Sequence, residues 1–216
     1  MTRYLDDEAL ERSAVVANCA MNRERSLAGS NGYGRELGLD IAAELARRGR
    51  WLDLCCGTGR ALDEAAALAE GRTEIVGVDL AGHFVPRRPA GPVLVTASVT
   101  AWEPDGRFDL ITSVHGLHYV GDKLGVLERA ASWLTEDGLL VANLDVRSVR
   151  VAGGTPRRLA AELRRQGFAY DTARRRVSMR GGRAVRFPYR YLGADDQAGP
   201  NYTGQPAVDS YYEDAY

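Results

Sequence analysis

An open α/β fold, a mostly parallel sheet with helices on both faces, is the fold class this sequence predicts, and three observations carry it. Between residues 36 and 166, short apolar runs bounded by turn residues alternate with segments of helical spacing. The run Trp51-Leu-Asp-Leu54 leads directly into Cys55-Cys-Gly-Thr-Gly59 and then into a helical pattern, which reads as strand, glycine turn and helix. Near the end, Tyr170–Met179 and Ala184–Leu192 flank Arg180-Gly-Gly-Arg183 and predict an antiparallel hairpin that closes the sheet.

Taken in order, Asp6 to about Met21 has acids at its start and Leu10, Ala14 and Val15 at helical spacing, so it predicts a helix. Ser26 to Gly34 is rich in Gly, Ser and Asn and reads as a loop. Glu36 to Arg48 is a second amphipathic helix, with Gly49 as its stop. Strands are expected at Trp51–Leu54, Ile75–Val78, Val93–Thr96, Phe108–Val114 and Leu139–Leu144. Helices are expected over Ala61–Ala69, Lys123–Trp133 and Pro156–Gln166. Only about fourteen residues separate Asp79 from Val93, and Pro86, Pro89 and Pro92 lie among them, so no full helix fits there.

At 216 residues the chain suits one domain, 1–216, with a core at 36–192, an N-terminal helix and loop at 1–35, and an acidic, turn-rich tail at 193–216. The tail is too polar to be expected in the core. No apolar run approaches the ~20 residues of a membrane span. The start MTRYLDDEALER lacks a signal peptide's apolar core, and three cysteines make no disulfide framework, so a reduced, cytoplasmic protein is expected. Cys55 and Cys56 are read as small residues rather than a redox pair.

A net charge of −1 gives no overall attraction to nucleic acid, which is not an expected partner. The distribution is uneven: eleven Arg lie between Arg157 and Arg190, and five acids with no Lys or Arg follow Gly193. With 27 Arg against the single Lys123, solvated arginine faces are one reading. The others are a tail folded back over the basic hairpin, or an anionic small-molecule partner.

The glycine turn suits a cofactor with a ribose. Asp53 ends the first strand, Gly57 and Gly59 allow close backbone approach, and Asp79 follows Gly59 by twenty residues at the end of the second strand, placed to accept from both ribose hydroxyls. A dinucleotide fingerprint would need Gly or Ala at position 62, which is Leu. Asp53-x-Cys55-x-Gly57-x-Gly59 instead resembles the D-x-G-x-G-x-G signature of class I S-adenosylmethionine-dependent methyltransferases, with Cys55 where the first Gly usually stands. The parallel sheet ending in an antiparallel hairpin is similar to that family's Rossmann-like fold, so the resemblance covers roughly 36–192.

The resemblance implies S-adenosyl-L-methionine as cofactor and S-adenosyl-L-homocysteine as product. Asp53 and the backbone of Cys55–Gly59 would hold the amino-acid part, Asp79 the ribose, Leu80 the adenine face, and Ser98 and Val99 the adenine edge. It also implies a lid in residues 1–35, where Arg23 or Arg25 would pair with the cofactor carboxylate and Tyr33 would close on it. His115, just past the fourth strand, is the candidate base or substrate ligand, and His118 is expected to pack or hydrogen-bond. The expected reaction is methyl transfer to an oxygen or nitrogen of a small molecule, in a tailoring step of biosynthesis. Methylation of RNA or a peptide, a nicotinamide-dependent oxidoreductase, and a silent cofactor-binding subunit stay open as alternatives.

Overall fold

A computed structural model describes residues 4–21, 24–86 and 88–215. Its helices are α1 (Asp7–Glu11), α2 (Ala14–Met21), α3 (Tyr33–Leu37), α4 (Ile41–Leu45), α5 (Arg60–Ala69), α6 (Lys123–Ser132) and α7 (Pro156–Arg165). Its strands are β1 (Arg50–Leu54), β2 (Glu74–Asp79), β3 (Val93–Thr96), β4 (Phe108–Ser113), β5 (Leu134–Asn143), β6 (Val149–Val151), β7 (Ala169–Asp171), β8 (Arg176–Arg180), β9 (Tyr189–Asp195) and β10 (Asp209–Asp214).

Seven strands form one sheet in the order β3-β2-β1-β4-β5-β8-β7, parallel from β3 to β5 and antiparallel at β8 and β7. The expected fold class, a mostly parallel sheet ending in an antiparallel hairpin, is what forms. The strand β1 is covered on both faces, which is why it reads as almost unbroken apolar sequence. Leu52 and Leu54 face the cluster built by α6 and α7, while Trp51 faces the one built by α3, α4 and α5. The two-residue period of a strand puts Asp53 on the same side as Trp51.

Local chemistry sets the helix ends. Asp122 and Thr155 cap α6 and α7 through their side-chain oxygens, and Pro156 occupies the first turn of α7. Leu62, fully buried on α5, packs where Gly77 of β2 leaves room: a Cβ at Gly77 would lie 2.5 Å from Leu62 Cδ2. The space that a small residue on the helix would supply in a dinucleotide fold is supplied here by a glycine on the strand.

Several expected elements differ in detail. The N-terminal helix is two helices, broken at Arg12–Ser13. The helix expected over Glu36–Arg48 is also two, because Gly38 ends α3 in the left-handed region at φ +64° and Asp40 caps α4 anew. The closing hairpin is β7–β8, turned at Thr172–Arg175, where Asp171 accepts from the Arg174 backbone. The second half of the expected hairpin does not join it. After Arg180, Gly181 and Gly182 bind back to Gly138 and Thr135, and Phe187 stacks on Phe168 with ring centroids 6.1 Å apart. No helix forms between Asp79 and Val93 among the described residues, as the prolines predict.

The tail expected to stay out of the core is part of it. A second sheet, in the order β6-β10-β9, places Val208, Ser210 and Tyr212 at no more than 2% exposure. The single lysine explains how. Lys123, wholly enclosed, donates from Nζ to Val120 O at 2.9 Å, Val208 O at 2.8 Å and Ser210 Oγ at 2.7 Å, so it ties β10 to the start of α6. Tyr212 adds a second tie, donating to Asp122 Oδ1 at 3.0 Å and accepting from Leu124 N at 3.1 Å. The tail acids pair with Arg150, Arg158 and Arg190 through Asp209, Asp214 and Glu213.

Candidate functional site

The sheet order reverses direction around β1, so the carboxyl ends of β1 and β4 open a crevice where open α/β sheets receive ligands. The β1–α5 turn needs backbone that most residues avoid: Cys55, Gly57 and Gly59 have φ of +58°, +61° and +74°. Cys55 therefore sits in a conformation that favours glycine, at a cost of roughly 1–2 kcal/mol. At Gly59 the glycine is required by packing, because a Cβ would lie 2.8 Å from Leu94 Cδ1. Gly57 donates its N–H to Asp79 Oδ2 at 2.9 Å, and Ala81 donates to Oδ1 at 3.0 Å, so the β2 acid and the glycine turn are locked together.

Cys55, Asp79, Leu80, Ser98 and Val99 line one crevice, together with Leu10, Glu11 and Val16 of the first two helices. Five of the expected cofactor residues are thus brought to one place. The crevice is narrow, about 40 Å³, because α1 and α2 lie across it. Ser98 Oγ donates to Glu11 Oε1 and shares a hydrogen with Thr100 Oγ1 at 2.8 Å. Thr58 Oγ1 in the glycine turn and Ser113 Oγ at the end of β4 are buried and have no hydrogen-bond partner. Buried hydroxyls are rarely left so.

Asp53 is not in the crevice. It is fully buried beneath it, accepting from Tyr33 Oη at 2.7 Å and from Thr112 Oγ1, which in turn accepts from Trp51 Nε1 at 2.8 Å. Burial pushes its carboxyl up to about 7, against the lowering effect of the Thr112 and Tyr33 hydrogen bonds. Tyr33 does not close over the crevice either. It belongs to α3, is 3% exposed, and burial beside Asp53 holds its phenol protonated. Arg25 stands away from the crevice, 3.8 Å from Glu36, and donates to Asn31 O at 3.3 Å. Arg23 lies outside the described residues.

A second, larger cleft of about 760 Å³ adjoins the first, and Tyr119 lines both. Its size is that of an ordinary small-molecule site, roughly 300–1,000 Å³. His115 is at its floor, in the left-handed region at φ +57°, with its backbone N–H on Asn143 Oδ1 at 3.2 Å. Its Nε2 is 2.8 Å from Glu36 Oε2, and its Nδ1 faces His118 Nε2 at 3.3 Å and Tyr202 Oη at 3.4 Å. Burial lowers the imidazole below its usual pKa, Glu36 partly offsets this, and Arg25 adds to the lowering. His115 is therefore neutral at neutral pH and able to take a proton. His118 packs, at 1% exposure, edge-on against Tyr202.

Glu36, Tyr202, Tyr119 and Glu11 escaped the sequence reading. Glu36 and His115 are 79 residues apart, and no local pattern pairs them. Tyr202 did carry a signal: Pro200-Asn-Tyr-Thr-Gly204 with Pro206 is a tight-turn sequence presenting one aromatic.

A family model described as a methyltransferase domain matches residues 23–153. No curated protein matches the sequence. Among solved structures, the N-methyltransferase NodS from Bradyrhizobium japonicum WM9, in complex with S-adenosyl-L-homocysteine, is 13% identical with a TM-score of 0.47, covering 77% of this chain and 98% of that one. The plantazolicin methyltransferase BpumL in complex with S-adenosylhomocysteine is 13% identical with a TM-score of 0.47, covering 66% of this chain and 58% of that one. Coclaurine N-methyltransferase, bound to N-methylheliamine and S-adenosylhomocysteine, is 16% identical with a TM-score of 0.39, covering 51% and 33%. The chain spans 38–58% of the length of the BpumL and StiE O-methyltransferase structures it matches.

Proposed function

The chain belongs to the methyltransferase domain family, and from that premise we propose that it transfers the methyl group of S-adenosyl-L-methionine to an oxygen or nitrogen of a small molecule seated in the His115 cleft. The observation that carries this reading is the junction at Tyr119, where a crevice containing the β2 acid meets a ligand-sized cleft with a neutral imidazole at its floor.

The residues present fit the cofactor. Asp79 offers carboxylate oxygens for a ribose diol. Leu80 and Val99 would offer apolar walls for a purine, with Ser98 in the same lining. Leu10, Glu11 and Val16 must move aside to admit a nucleoside, which makes α1 and α2 the lid. When bound, the cofactor supplies a methyl group on a sulfonium, an electrophile with a good leaving group. The protein then has two tasks. It holds the acceptor in line, which supplies much of the rate. It also receives the proton that an alcohol or phenol must lose, worth typically about 10²–10⁴-fold. His115 does the second, and Glu36 positions it: a carboxylate on Nε2 fixes the proton there and leaves Nδ1 as the acceptor.

The arginines counted in the sequence do not build an anion site in this cleft. Arg165, Arg174 and Arg175 pair with Glu162, Asp171 and Asp145, and Arg25 with Glu36. In the cleft itself Glu36 stands 3.8 Å from Arg25, which favours an acceptor without a negative charge. The cofactor reading is tested by S-adenosylhomocysteine binding. At about 100 times its Kd, a ligand adds about 2.7 kcal/mol, a rise on the order of 5–10 °C in the unfolding midpoint of a chain this size. Asp79→Ala should abolish most of that rise. No rise in the wild-type protein would overturn the reading.

A further inference from the structure

Resting on the methyl-transfer reading above, we propose that the acceptor is a phenol-type hydroxyl on a planar ring, and that Tyr202 holds its place at His115 until it binds. With Nε2 engaged by Glu36, Nδ1 is the atom of His115 able to receive an acceptor's proton. A phenol already stands there: Tyr202 Oη is 3.4 Å from Nδ1. Its ring lies in a slot with the Arg175 guanidinium 4.0 Å from the centroid on one side and the His118 ring edge-on at 5.4 Å. Arg175 is held in position by Asp145 at 3.3 Å. A cation on one face and an aromatic edge on another select a flat, electron-rich ring over an alkyl chain.

The carrier of Tyr202 is suited to leave. Residues 200–206 form a miniature hairpin closed on itself by Asn201 N to Gln205 O at 2.8 Å and Gly204 N to Asn201 O at 3.0 Å. Tyr202 at its tip is 36% exposed, so part of its ring already faces solvent. The hairpin lies beyond residues 23–153, the part matched by the family model. Burial raises the Tyr202 phenol to about 12, so it stays protonated and donates rather than acting as a base. In the reaction, the phenolic oxygen forms its bond to the methyl carbon while the carbon–sulfur bond gives its electron pair to sulfur. The phenolic proton passes to His115 Nδ1, and the products are a methyl ether, a thioether and an imidazolium.

The test separates this proposal from the reading beneath it. Calorimetry with S-adenosylhomocysteine first establishes cofactor binding. The loaded wild type, Tyr202→Phe and Tyr202→Ala are then titrated with 4-methylphenol, benzyl alcohol and benzylamine, and binding is read from the ring signals of His115 by NMR. The expected result is that 4-methylphenol moves those signals in the wild type and binds about fivefold or more tightly to Tyr202→Ala, because the occupying ring is gone. Tyr202→Phe, which keeps the ring but loses its hydroxyl, should fall between. The alcohol and the amine should bind about tenfold more weakly throughout, and S-adenosylmethionine should convert the phenol to its methyl ether. If the cofactor product binds and 4-methylphenol leaves His115 unmoved, the proposal is wrong. It is equally wrong if Tyr202→Ala binds the phenol less well, or if the alcohol or amine binds as well. If S-adenosylhomocysteine itself does not bind, the methyl-transfer reading fails first and takes this one with it.

Discussion

Asp53 and Lys123 are charged residue types enclosed without any exposure, and they make stability depend on pH in opposite directions. Burial raises the Asp53 carboxyl from 3.8 to about 7, so the unfolded chain releases this proton at a pH where the folded chain keeps it. Stability is therefore lost as pH climbs from about 4 to 7, at ~1.4 kcal/mol per unit at most and on the order of 4 kcal/mol in all. Burial lowers Lys123 from 10.5 to about 7, against the pull of Asp209, Asp122 and Asp7. Between 7 and 10 the unfolded chain holds the extra proton, so stability returns as pH rises. Denaturant midpoints across this range should pass through a minimum near neutrality. Asp53→Asn should flatten the acid limb, and Lys123→Met the alkaline one.

His115 and Glu36 make the corresponding prediction for turnover. His115→Phe should lower kcat by about 10²–10⁴-fold if the imidazole takes the acceptor's proton, with S-adenosylhomocysteine affinity unchanged. Glu36 raises the imidazole's pKa, so Glu36→Gln should shift the acid limb of the kcat profile to lower pH while reducing its plateau. A Glu36 that merely braced the fold would change the melting temperature and leave that limb in place.

At the scale of elements, β10 is the anchor of the cleft's outer wall. Tyr212→Phe removes one hydroxyl that both donates to Asp122 and accepts from Leu124 N. It should cost about 1–3 kcal/mol by chemical denaturation, more than an ordinary surface change. The sequence showed the parallel strands well, because central strands are buried on both faces and betray themselves by composition alone. The glycine turn and Asp79 were legible for the same local reason. The tail was not. Its strand alternates Ser210 and Tyr212 inward with Asp209, Tyr211 and Glu213 outward, and what makes Ser210 a core residue is a lysine 87 positions away. Asp53 was read as facing the ligand, but the partner that turns it inward, Tyr33, belongs to a helix that the sequence suggested was a loop.

At the scale of the whole molecule, the part matched by the family model, residues 23–153, meets a C-terminal segment that packs back onto it. The larger cleft draws on both, with Glu36 and His115 from the first and Tyr202, between β9 and β10, from the second. Between them sits the one lysine in a chain with 27 arginines. Its three hydrogen bonds also make the molecule its own clock. Apart from the α-amino group, an amine-selective reagent finds nothing to react with on the folded surface. Acylation of Lys123 therefore counts the moments when β10 peels away from α6. Mass spectrometry of the labelled chain should show this one ε-amine modified at the rate of that opening. A reaction as fast as that of a free lysine in the native protein would mean that the C-terminal sheet is not seated as described.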